Sequence, residues 1–214
     1  MYWKTDILEK IKDIKIDEYP YPNFILDDMF PQEIYKEIIE NLPKNDKYKK
    51  LDYKRDVIDL KKIHFDNNVL QEVSQFLISD ELMEALTEKY KEYMGERYQL
   101  KNNFYMRGLL VRDQNGYSIK PHTDDCKKII TFLIYLPKDN SMSMHGTNVH
   151  ISKEGLISWE SIRVPFDKFE IYKKAEFIPN RMFCFLKTNN SWHSVSKINN
   201  DIVRNFFNVQ IQIP

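Results

Sequence analysis

Apolar residues recur at helical spacing through the first half of the chain and alternate with polar ones through much of the second. Ile7, Ile11 and Ile14 predict a short first helix, ended at the latest by the turn at Pro20 and Pro22. Asn23–Asp28 reads as a short strand. Pro31 stands where a first helical turn tolerates proline, and Ile34, Ile38, Ile39 and Leu42 follow at helical spacing until Pro43 stops the run. The lysine-rich stretch from Lys44 to Lys62 reads as a solvated loop. Ser79, Asp80 and Glu81 make a helix start, after which Leu82, Leu86, Tyr90 and Met94 share one face up to Gly95.

Near residue 97 the texture changes. Phe104–Val111, Ser118–His122, Lys128–Leu136, Asn148–Ile151, Arg181–Lys187 and Val203–Ile213 are short β-rich runs between turn signals. Strands following a block of helices predict an α+β domain, a sandwich or barrel with helices packed outside it. The expected organisation is one domain over 1–214, with a mainly helical part to residue 96 and a β core from 97 onward. The irregular, Met-rich span from Lys138 to Ile171 is expected to be a lid or insertion.

Composition narrows the partners. Lys+Arg and Asp+Glu number 32 each, so net charge gives no argument for a nucleic-acid or anionic-membrane partner. No stretch approaches the roughly 18 apolar residues of a membrane helix, and the first residues lack the pattern of a signal peptide. Two cysteines, Cys126 and Cys184, without CxxC spacing suit a reducing compartment, and the expected location is cytoplasmic.

The chemistry begins at His122 and Asp124. Residues i and i+2 on an extended strand end project to the same side, so the imidazole and the carboxylate converge. His193 lies 71 residues on, after the apolar run Met182–Leu186. Two histidines and one carboxylate on one face of an octahedron leave three coordination positions open. Arg204 follows His193 by eleven residues and opens the last strand, whose faces are Arg204, Phe206, Asn208, Gln210 and Phe207, Val209, Ile211. The first face suits either a polar pocket or bulk solvent. Taken alone, Tyr135 and Thr131 read as core residues with satisfied hydroxyls, Arg204 as a surface ion-pair residue, and His145 and His150 as structural or substrate-contacting.

Pro121-His-Thr-Asp124, Lys128-Ile-Ile-Thr-Phe-Leu-Ile-Tyr-Leu-Pro137, Asn190-Ser-Trp-His-Ser-Val195 and Arg204-Asn-Phe-Phe-Asn-Val209, with the entry Phe24-Ile-Leu-Asp-Asp-Met-Phe-Pro31, together resemble the iron(II)- and 2-oxoglutarate-dependent oxygenase superfamily, in particular its prolyl-hydroxylase-like branch. The resemblance covers the chain from about residue 21. It implies a double-stranded β-helix, or jelly-roll, core, with Fe(II), 2-oxoglutarate and O2 as cofactor and cosubstrates. It implies His122, Asp124 and His193 as iron ligands, which makes them the catalytic set. Arg204 is then the partner of the distal carboxylate of 2-oxoglutarate, with Tyr135 and Thr131 beside it. Arg112 falls at a position that lines the active site in that branch.

The implied reaction hydroxylates a C–H bond of a small-molecule or side-chain substrate. A carboxylate at Asp124, where related halogenases have a small residue, favours hydroxylation over halogenation. The chain departs from the family at Met142-Ser-Met-His-Gly-Thr-Asn148, where many relatives carry Gly-Gly-Glu/Asp, which shifts the expected substrate from a peptide toward a small metabolite or glycan precursor. It also lacks the second arginine of nucleic-acid demethylases on its last strand. The competing readings are a jelly-roll metabolite-binding protein without turnover, and a cupin-like metalloenzyme independent of 2-oxoglutarate.

Overall fold

The computed structural model describes residues 2–199 and 202–214. Four helices come from the first half of the chain: α1 (Tyr2–Asp13), α2 (Gln32–Glu40), α3 (Asn68–Leu77) and α4 (Asp80–Met94). Ser79 caps α4 by accepting from the Leu82 amide, with Asp80 and Glu81 against the positive end of the helix dipole. Helix α3, which the sequence pattern did not single out, starts on Asn67, whose side chain accepts from the Leu70 amide.

Two antiparallel sheets face each other. The larger has the order β1 (Asn23–Leu26), β9 (Met182–Leu186), β6 (Lys128–Tyr135), β11 (Arg204–Gln212), β4 (Tyr105–Asp113), β3 (Arg55–Asp59) and β2 (Lys49–Asp52). The smaller has β5 (Ile119–His122), β10 (His193–Val195), β7 (Thr147–Ser152) and β8 (Phe169–Ala175). This is a jelly roll with helices outside it, as expected. The lysine-rich stretch is not the expected loop. Its alternating Arg55-Asp-Val-Ile-Asp59 pairs along β4, and the β2–β3 hairpin extends the larger sheet.

Strand alternation sorts the side chains into two cores. On the outer face of the larger sheet, Ile130, Phe132, Ile134, Phe207, Val209 and Ile211 pack with Ile7, Ile11, Leu82, Leu86 and Tyr90 of the helices. Each such burial contributes about 1.5–3 kcal/mol. Tyr90 also donates to the Cys184 carbonyl at 3.0 Å, tying α4 to β9. On the inner face Leu109, Val111, Leu133, Tyr135, Phe183, Phe185 and Phe206 meet Val149 and Ala175 of the smaller sheet. Gly146, entering β7, runs so close to β8 that a Cβ there would fall 1.9 Å from the Ala175 carbonyl oxygen. No helix among the described residues is long and apolar enough to cross a membrane.

Candidate functional site

His122 ends β5 and His193 opens β10, directly opposite each other in the antiparallel register. Their imidazole centroids are 4.3 Å apart. Asp124 lies two residues past His122, and one ligand atom from each of the three falls within 4.8 Å of the others. His122 Nδ1 lies 3.0 Å from the Lys120 carbonyl and His193 Nδ1 lies 3.0 Å from the Ser191 carbonyl. A carbonyl only accepts, so each Nδ1 carries the proton and each Nε2 is left with a lone pair. Burial, with repulsion from His193, pushes His122 down to about 3, and burial lowers His193 as well. Both rings are therefore neutral and ready to ligate at physiological pH.

Asp124 is held on both oxygens. Oδ1 accepts from Lys128 Nζ at 2.7 Å and Oδ2 from Thr131 Oγ1 at 2.7 Å. Burial alone would raise its carboxyl, but Lys128 and the two histidines hold it below the usual carboxylate range. Thr131 lines the cavity, but its hydroxyl serves the candidate metal ligand, not the cosubstrate seat that the sequence suggested for it.

A cavity of about 200 Å³ runs inward from this triad between the sheets. At its far end Arg55, Asp113 and Arg204 stand in one lateral row across β3, β4 and β11. The Arg55 fork takes both Asp113 oxygens, at 2.6 and 2.9 Å, and Arg204 Nη1 reaches Asp113 Oδ2 at 3.0 Å. Arg204 is fully buried, and its Nε and Nη2 have no hydrogen-bond partner. Two arginines against one carboxylate leave a buried positive charge with two unsatisfied donors, an arrangement that an incoming carboxylate would complete. Sequence reasoning missed Arg55 and Asp113. The signal was present in the alternation of each strand, which puts Asp113 on the inner face with Leu109 and Val111.

The same alternation corrects Arg112. One residue from Asp113, it faces the other way, donates to the Asn45 side chain and lies 5.0 Å over the Tyr48 ring, outside the cavity. Tyr135 is also displaced from its expected role. Its ring packs on Phe177, and its hydroxyl donates to Thr147 Oγ1 at 2.8 Å, so it reaches the cavity only through Thr147. His150 is structural: its Nε2 meets Ser194 Oγ at 2.7 Å and its ring is buried beside Phe169.

Between β7 and β8 a strap, residues 153–168, crosses the triad end of the cavity. Thr123 Oγ1 donates to the Ser158 and Glu160 carbonyls, both at 3.0 Å, and Trp192 Nε1 to the Leu156 carbonyl at 2.8 Å. The Val164 amide donates to the Pro121 carbonyl, and Arg163 forms a β-bridge with His122. Of the span expected to be a lid or insertion, Lys138–Ile171, residues 153–168 form this strap, whereas Thr147–Ser152 is β7 of the smaller sheet.

No family model matches the sequence, and no curated protein matches it. Among solved structures, the chain is similar to a prolyl-4-hydroxylase from Pseudomonas putida, with a TM-score of 0.61 and 10% identity over 97% of this chain and 99% of that one. It is similar to a prolyl hydroxylase from Trichoplax adhaerens in complex with a hypoxia inducible factor oxygen degradation domain peptide fragment, with a TM-score of 0.59 and 13% identity over 100% and 94% of the two chains. A prolyl 4-hydroxylase from Phytophthora capsici gives 0.57 and 18%, over 98% of this chain and 65% of that one. At these identities the likeness establishes the fold.

Proposed function

We propose that this chain, folded as the prolyl hydroxylases are, is an Fe(II)- and 2-oxoglutarate-dependent dioxygenase that hydroxylates a C–H bond of a small metabolite or glycan precursor. The observation that carries the reading is one cavity with a triad of two neutral imidazoles and one carboxylate at one end and an under-satisfied buried arginine at the other. That donor set fits Fe(II), and three protein ligands would leave coordination positions for a cosubstrate and O2. With iron and 2-oxoglutarate bound, O2 would be the oxidant, one of its oxygen atoms going to succinate as CO2 is lost and the other to the substrate C–H bond.

The chain's own residues do the rest. His122, Asp124 and His193 hold the metal, each histidine aimed by its Nδ1 bond to a backbone carbonyl and Asp124 by Lys128 and Thr131. Arg204 receives the distal carboxylate of 2-oxoglutarate, and Asp113 and Arg55 fix the plane of its guanidinium. Thr147 lies beside it, oriented by Tyr135. The strap and the apolar wall of Leu133, Phe185 and Phe206 limit water at the reacting end. The cavity, smaller than the roughly 300–1,000 Å³ usual for ligand pockets, takes the cosubstrate and the reacting end of a substrate. Both cysteines are free, in keeping with a reducing, cytoplasmic setting.

The experiment is an anaerobic titration of the Fe(II) protein with 2-oxoglutarate, followed by its metal-to-ligand charge-transfer band, and then succinate release on admitting air. A band and succinate support the reading. Metal binding with neither favours a cupin-like site, and a band with no succinate under any substrate mixture favours a binding protein.

A further inference from the structure

We propose that the substrate of this site carries an oxyanion, a carboxylate or a phosphate, and that Arg163 on the strap receives it. The proposal rests on the dioxygenase reading and adds the charge class of what is oxidised.

Four cations line the cavity, Arg55, Lys128, Arg163 and Arg204, and the only acid among the lining residues is Asp124. In a chain with equal numbers of acidic and basic residues this is a local concentration, not a background. Three of the four have partners: Arg55 and Arg204 share Asp113, and Lys128 is paired with Asp124. Arg163 makes no ion pair or side-chain hydrogen bond among the described residues. Asp125 and Glu160 gather with Cys126, and neither is among the residues that line the cavity.

Position gives this charge a use. The Arg163 backbone is bridged to His122, and the next amide, Val164, is bonded to the Pro121 carbonyl at 2.9 Å. The guanidinium therefore starts from a main chain fixed beside a candidate metal ligand, and an anion held by it sets a neighbouring substrate carbon at the reacting end.

Charge balance points the same way. A divalent iron and a dianionic cosubstrate cancel, while the four cations exceed Asp113 and Asp124 by two charges. The loaded site is still positive, and a substrate anion lowers that excess.

The wall nearby is polar. Gln212 Nε2 donates to Gln210 Oε1 at 2.6 Å, and Gln210 Nε2 to Asn208 Oδ1 at 3.0 Å. This relay of amides ends at Asn208, whose own amide nitrogen has no partner among the described residues. It is suited to oxygen acceptors on the substrate body and leaves little reason for a purely apolar one.

The test uses the protein loaded with Mn(II) and saturated with N-oxalylglycine, an unreactive isostere of 2-oxoglutarate, so that Arg204 is occupied. Inorganic phosphate, acetate and methylammonium are titrated separately, and the relaxation enhancement of their ³¹P, ¹³C or ¹H signals by the manganese is followed. The expected result is a saturable enhancement for phosphate or acetate, whichever is the better match, and none for methylammonium. In Arg163→Gln the midpoint should rise at least tenfold, and Arg163→Lys should recover part of it. N-oxalylglycine affinity should stay within twofold in both variants. No saturable enhancement in the wild type, or an Arg163→Gln protein that titrates like it, overturns the proposal. A tenfold loss of N-oxalylglycine affinity in Arg163→Gln overturns it too, by placing Arg163 on the cosubstrate. A wild-type protein that does not take up Mn(II) and N-oxalylglycine at all fails one step earlier, and the dioxygenase reading fails with it.

Discussion

Arg204 gives Asp113 a single nitrogen, Nη1 to Oδ2 at 3.0 Å, and leaves Nε and Nη2 buried without a hydrogen-bond partner. The reason is Arg55, whose fork already occupies both Asp113 oxygens and leaves the carboxylate little to offer a second arginine. If Arg204 seats the distal carboxylate of 2-oxoglutarate as proposed, removing it would strand that carboxylate in a low-dielectric pocket, at about 3–5 kcal/mol. Arg204→Leu should therefore raise the dissociation constant for 2-oxoglutarate by roughly two to three orders of magnitude, with metal affinity little changed. Arg55→Gln should release Asp113 to engage Arg204 more fully and weaken 2-oxoglutarate by roughly tenfold, or about 1.4 kcal/mol. Charge-transfer titrations of both variants check this, and wild-type affinity in both would dissolve the assigned anion seat.

Metal affinity should follow the bonds to Asp124 as well as the ligands. His122→Ala, Asp124→Ala and His193→Ala should each lose tight metal binding while remaining folded. Thr131→Val removes the donor on Asp124 Oδ2 and should cost roughly 10- to 100-fold in metal affinity, the usual scale for groups that orient a ligand. Chelating the metal from wild type at 100 times its dissociation constant should remove about 2.7 kcal/mol of apparent stability. Equilibrium dialysis and denaturation with and without chelator measure both effects. A Thr131→Val protein with unchanged affinity would make that hydroxyl a packing feature.

Acid should destabilise the metal-free protein well before its carboxylates titrate. Burial pushes His122 down to about 3 and His150 down to about 4, whereas both take up protons near 6.5 in the unfolded chain. Below pH 6.5 the unfolded state binds protons that the folded state refuses. Stability is thus full above that pH and drains as pH falls toward the folded values, at up to about 1.4 kcal/mol per pH unit for each ring. Urea midpoints should fall steadily from pH 7 to pH 5. A flat profile over that window would show that the rings titrate normally in the fold.

The strap should open when Thr123 loses its hydroxyl. Thr123→Val removes the donor to the Ser158 and Glu160 carbonyls, a local loss of about 1–3 kcal/mol. Limited proteolysis within residues 153–165 should quicken by roughly tenfold or more, while the thermal midpoint of the domain moves little. Equal cleavage rates would mean that the other strap contacts suffice.

The sequence was most legible where periodicity and chemistry coincide. Helices α2 and α4, the two faces of β11 and the His122–Asp124 pair follow from local pattern, because a 3.6 or 2.0 period and an HxD spacing are properties of short segments; His193, 71 residues on, joined them through the family resemblance. The β2–β3 hairpin was hidden because lysines mask its alternation and its pairing partner, β4, lies some fifty residues away. That concealed Arg55. Arg112 was misassigned because position relative to His122 says nothing of strand face, whereas alternation with Leu109 and Val111 turns Asp113 inward and Arg112 outward. The Thr131 and Tyr135 hydroxyls lie on the inner face as their strand parity requires, but which neighbour each hydroxyl chooses is decided by residues from other strands.

The strap is fastened mainly through its main chain: the carbonyls of Leu156, Ser158 and Glu160 accept, and the amides of Ser158 and Val164 donate. Trp159 also lies under Arg97 and Lys187, but Ile157, Ile162 and Arg163 do little to keep the strap in place, and all three are exposed. Selection can rewrite those side chains while the loop keeps its seat over the metal ligands, since a peptide group offers the same bonds whatever residue bears it. The strap thus behaves as an exchangeable cassette. Substitutions among those side chains would change what faces the cavity mouth while leaving the bonds that seat the strap intact.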